Sequence, residues 1–66
     1  MKIKYDKESD TIYIRFSSSK ISESIENKPG VIIDYDEAAK VVGIEILQAS
    51  KQMTQFNSVE YEFENE

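Results

Sequence analysis

Residues 28–47, KPGVIIDYDEAAKVVGIEIL, decide how this chain folds. Pro29-Gly30 is a turn signal, because Pro presets φ and Gly accepts a positive φ. VIIDY then alternates, with Val31, Ile33 and Tyr35 on one side and Ile32 and Asp34 on the other. VVGIEIL alternates too, with Val42, Ile44 and Ile46 together and Val41, Gly43, Glu45 and Leu47 opposite. Two period-two runs joined by the polar DEAAK read as neighbouring antiparallel strands.

The same alternation extends outward toward the N-terminus. In KIKY, Ile3 and Tyr5 share a face and Lys2 and Lys4 the other; in TIYIRF, Ile12, Ile14 and Phe16 alternate with Thr11, Tyr13 and Arg15. The polar DKESD joins these as a hairpin loop, and SSSK leads into a weaker strand, ISESIE, with Ile21 and Ile25 on one face. Five consecutive strands with short polar links predict a small antiparallel β-meander with one clear apolar face. On the opposite face Lys2, Lys4, Arg15, Glu26, Asp34 and Glu45 suit water, while Tyr13, Ile32, Val41 and Leu47 form a second apolar cluster.

A single sheet cannot bury its own apolar face, so something must lie over it. The candidate inside the chain is LQASKQMTQF, residues 47–56, where Ala49, Met53 and Phe56 recur at helical spacing. Ten helical residues span only about 15 Å, too little for the whole sheet, and a homodimer is expected to cover the rest. The end, SVEYEF, alternates again and predicts either a sixth strand or a partner-binding arm. The expected class is therefore α+β, mainly β: one sheet domain over residues 1–51 with a short C-terminal helix, then an extension over 52–66.

Sixty-six residues place the chain near the lower limit for folding unaided. It has no cysteine for disulfides and no histidine to complete a zinc set, so packing or a partner must supply the missing stability. An apolar fraction of 39% argues against disorder. No apolar run exceeds three residues, so no membrane span is expected. The start turns acidic too early for a signal peptide, and the expected location is the cytoplasm. Thirteen acids against eight bases give a net charge of −5, which repels nucleic acid and favours a basic partner.

Candidate chemistry is sparse. Asp6, Glu8 and Asp10 alternate like the start of a calcium loop, but the required Gly and Glu positions hold Thr11 and Ser17. In an up-and-down meander the DKESD and DEAAK turns lie at opposite ends of the strands, about 17–20 Å apart. Asp34, Asp36 and Glu37 then cannot join the first acidic group, and the knot reads as a turn. Ser17, Ser18 and Ser19 lack a base, Lys20 and Lys51 sit in polar settings, and Gly30 and Gly43 are in no phosphate-cradling run. No catalytic residue, metal ligand or cofactor is assigned, and no enzyme is expected. Lys2, Lys4, Tyr13 and Arg15 share a face of the first hairpin, a foothold for nucleic acid that the neighbouring carboxylates weaken. Gly43 inside a strand marks a close approach, expected from the helix or from Tyr13.

The segments YDKESDTIYIRFS, PGVIIDYDEAAKVVGIEIL and QASK resemble a family of small prokaryotic proteins, the domain of unknown function numbered twenty-two eighty-three. Its pattern matches Tyr5-Asp6, Glu8, Asp10 to Ile14, Pro29 to Glu37, and Val42 to Ser50. Two departures stand out. Ala38-Ala39 replaces a Gly-containing turn, so a longer loop is expected, and Gln48 stands where the family often has Asp. The resemblance implies a fold and a compact size, and brings no activity. The expected function is a protein-interaction module, for example an inhibitor or antitoxin-like partner of a basic protein, with Ile32, Leu47, Val59, Tyr61 and Phe63 at interfaces. The alternatives are a metal-dependent carboxylate site assembled across a homodimer and a weak nucleic-acid binder using the first hairpin.

Overall fold

The hairpin read from residues 28–47 lies at the middle of the sheet in the computed structural model, which describes residues 1–65. The elements are β1 (Lys2–Asp6), β2 (Thr11–Arg15), β3 (Glu23–Lys28), β4 (Val31–Tyr35), β5 (Val41–Ile46) and α1 (Ala49–Gln52). All pairings are antiparallel, and the expected mainly β class with one short C-terminal helix is what forms.

Strand order is β1-β2-β5-β4-β3. The chain thus makes a hairpin, β1–β2, and a meander, β3–β4–β5, and joins them by pairing β2 with β5. The connection that permits this is Phe16–Ser22, which crosses three strand spacings, about 14 Å. Seven residues reach about 23 Å, so the serine-rich link is long enough. Its start is fixed to β5 by Phe16 N–H donating to the Val42 carbonyl at 2.7 Å, and its end to β4 by Ser22 N–H donating to Tyr35 O at 2.7 Å. The strands richest in charge, β1 and β3, take the two edges, where unpaired backbone meets water and charged side chains discourage stray pairing. Every residue of β3 is exposed.

Register aligns the isoleucines. Ile3 faces Ile14, Ile14 faces Ile44, Ile44 faces Ile33, and Ile33 faces Ile25, a row crossing all five strands. Beside it runs Tyr5–Ile12–Ile46–Val31. Cross-strand β-branched neighbours on one face are the pairs that stabilise a sheet.

The cover is thinner than the sequence suggests. The helix expected over residues 47–56 is four residues long, because Gln48 enters it from the left-handed region and Met53 leaves it extended. Residues 53–65 form neither helix nor strand, so the sixth strand does not form; residue 66 of the expected extension lies outside the described residues. Phe56 does reach the apolar face, its ring 4.9 Å from that of Tyr5. Among described apolar residues only Ile12, Val42 and Ala49 are buried. The radius of gyration, 12.9 Å, exceeds the ~11 Å of a compact chain this long, as expected of one thin layer with a trailing end.

Candidate functional site

The face opposite the isoleucine row is built from two cross-strand rows. One is Lys2–Arg15–Gly43–Asp34–Ser24, the other Lys4–Tyr13–Glu45–Ile32–Glu26. Within these rows the bases stand on β1 and β2 and the acids on β5, β4 and β3.

Gly43 is the seam. A Cβ built there would lie 2.8 Å from Tyr13 Oη and 2.8 Å from the Ile14 carbonyl, so the phenol head rests where a side chain would stand. The close approach expected at Gly43 is made by Tyr13. Arg15 is held nearby, its Nη2 donating to Ser19 O at 3.0 Å and its Nη1 reaching Tyr13 Oη at 3.5 Å. Lys2, Lys4, Tyr13 and Arg15 do share a face, but the guanidinium is already engaged.

Asp34 does not face water as expected; it is fully buried. Ser24 Oγ donates to its Oδ1 at 2.6 Å, while Oδ2 is buried without a hydrogen-bond donor. The carboxyl of Glu45, half-buried on the next row, is within hydrogen-bonding reach. Burial raises the Glu45 carboxyl above its ordinary 4.5, and the charge of Asp34 and the hydrogen bond to it add to the rise. The register sets Asp34 opposite Gly43, which removes a side chain from beside it and leaves Glu45 as its diagonal neighbour.

The other acidic residues are structural. Asp36 Oδ1 accepts from Ala38 N–H and Lys40 N–H, each at 2.9 Å, closing the turn that DEAAK was read to be. Asp6 accepts from Glu8 N–H and Ser9 Oγ within its own loop. Asp10 reaches across the chain: it accepts from Tyr5 Oη at 2.7 Å and from the Ser50 backbone and hydroxyl at 3.1 and 2.7 Å. These donors hold its carboxyl below the ordinary value, the Ser50 bond first, and the Tyr5 phenol is raised in return. The two acidic turns lie at opposite ends of the strands, as the alternating strand directions require. Among the described residues no three Asp, Glu, His or Cys side chains gather to hold a metal ion by themselves. No helix among them is long and apolar enough to cross a membrane.

The five residues expected at interfaces lie in three places. Ile32 sits between Glu45 and Glu26 on the charged face. Leu47 lines a hollow with Pro29, Gly30 and Gln52 at the helix end of the sheet. Val59 and Tyr61 line another with Met1 and Ile3, beside the isoleucine row, and Phe63 is exposed further along. The second apolar cluster does not form as expected, since Glu45 separates Tyr13 from Ile32, and Val41 and Leu47 lie on either side of that row along the chain of β5.

Comparison with known proteins adds the family. Residues 2–50 match the family described as protein of unknown function, DUF2283. The chain belongs to the DUF2283 family. An uncharacterized protein of Methanocaldococcus jannaschii, MJ0789, is 41% identical over 51 residues, which are 77% of this chain and 43% of that protein. The chain therefore spans less than half the length of this relative. No solved structure matches. The DUF2283 match ends at residue 50, one residue into the bonds between Asp10 and Ser50, so it takes in the whole sheet and the helix start.

Proposed function

We propose that the protein is a non-catalytic interaction module that works as a homodimer joined through its isoleucine row. The observation that carries this reading is the exposure of that row. Its ends, Ile3 and Ile25, are 42% and 45% exposed, in a chain whose described apolar core has three buried residues. Burying a large apolar side chain contributes about 1.5–3 kcal/mol, so a covered row is the largest stabilisation left to this fold. The cover must be present whenever the chain folds, and a second copy is the partner always made with it. The row is also self-complementary: β5 is the middle strand, and a twofold axis near Ile44 lays isoleucine along isoleucine. The sheet face measures about 24 by 17 Å in projection, while a stable interface takes about 800 Å² per partner. Exposed Val59, Tyr61 and Phe63, on the tail that passes Ile3, supply further area. Glu26 on the opposite face then stays exposed and, with the exposed Glu60, Glu62 and Glu64 of the tail, suits a basic protein partner, whose encounter they accelerate.

Sedimentation equilibrium at micromolar concentration tests the reading. The expected species has twice the 7.6 kDa chain mass. The variant Ile3→Ser/Ile25→Ser changes exposed positions, so it should stay folded while associating about tenfold or more weakly. Tyr61→Ser/Phe63→Ser should weaken association less and leave the sheet intact. A wild-type monomer at all concentrations would remove the proposal.

A further inference from the structure

The buried carboxylate of Asp34 has no role in the dimer reading, since it lies on the other face of the sheet. A buried carboxylate oxygen without a donor is costly, and native folds retain few of them. Here Ser24 satisfies Oδ1 and nothing donates to Oδ2. The half-buried carboxyl of Glu45 is the acidic group within hydrogen-bonding reach of it.

We propose that Asp34 and Glu45 form a binding site for a small divalent cation of the magnesium and manganese class, seated in the gap between the two carboxyl groups. Charge is the first argument: two carboxylates carry −2, which one dication neutralises. Size is the second: the full burial of Asp34 favours a single small ion over a guanidinium or ammonium head carried on a partner's side chain. Coordination chemistry is the third. Ions of this class are commonly held by one or two carboxylates and keep several waters, which would lie on the half-exposed side of Glu45. The hydroxyls of Ser24 and Tyr13, one bonded to Asp34 and the other over the adjoining Gly43, are placed to orient those waters. This site lies within one chain and does not depend on dimerisation.

Thermal unfolding of the full chain at pH 7.5, with manganese chloride against sodium chloride of equal ionic strength, tests the site. At tenfold excess over its dissociation constant the ion should raise the wild-type midpoint by about 6–11 °C. Loss of the free manganese paramagnetic resonance signal should titrate to one ion per chain. Glu45→Gln keeps the shape of a half-exposed side chain, and its own melt without metal shows whether it folds; its manganese shift should vanish. Glu60→Gln, in the tail, should keep the full shift. No wild-type shift at millimolar manganese, or an equal shift in Glu45→Gln, would overturn the proposal. Sedimentation of the same samples separates its failure from that of the dimer.

Discussion

Ala39 holds the β4–β5 turn at φ 64°, a conformation that costs an L side chain about 1–2 kcal/mol. Glycine adopts it freely but gives the unfolded chain more freedom, worth about 0.4–1 kcal/mol. Ala39→Gly is therefore expected to stabilise the fold by about 0.5–1 kcal/mol, seen as a higher urea midpoint. The departure from a Gly-containing turn was visible in the sequence; its outcome is a strained turn of residues 36–40. Asp10 gives a pH prediction. Its carboxyl is depressed from 3.8, so its charge favours the fold above that value, and the benefit is lost as pH falls through the lower folded value. Glu45, raised from 4.5, acts oppositely: stability falls as pH rises from there through the folded value. Acid melts should show Asp10→Asn losing the low-pH decline, and Glu45→Gln losing the decline on the neutral side. Asp34 was not legible as a buried group, because alternation assigns it a face and says nothing of whether its neighbours close over it.

Each strand was legible as an element because period-two alternation is local and the turns carry their own chemistry. The edge position of β3 was legible from its charge and weak alternation, whereas a simple meander sets β5 at the far edge and the fold sets it at the centre. The helix was overread. Apolar spacing at Ala49, Met53 and Phe56 fits a helix, yet the chain leaves it after four residues, and Asp10, not a residue beside the helix, supplies the bonds to its start. Nothing local announces a partner forty residues away. Gly43 carries the prediction at this scale. In Gly43→Ala the added methyl meets the Ile14 carbonyl, backbone that cannot step aside. A loss of about 1–3 kcal/mol is expected, and pairing it with Tyr13→Phe should not restore stability.

For the molecule as a whole, a single layer with a three-residue apolar core predicts that folding and association are linked. The midpoint of thermal unfolding should rise with protein concentration; a midpoint independent of concentration over a hundredfold range would speak for a self-sufficient monomer. Strand order was the part of the fold least open to reading, because five similar amphipathic strands can pair in more than one order with equal local merit. Only linker length distinguishes them, and the longest, Phe16–Ser22, is the one that crosses. That crossing governs how the chain can be made. β2 must wait for β5, the last strand to be translated, so a ribosome that has released residues 1–40 has produced every strand but one, and as yet two separate hairpins with no sheet to join them.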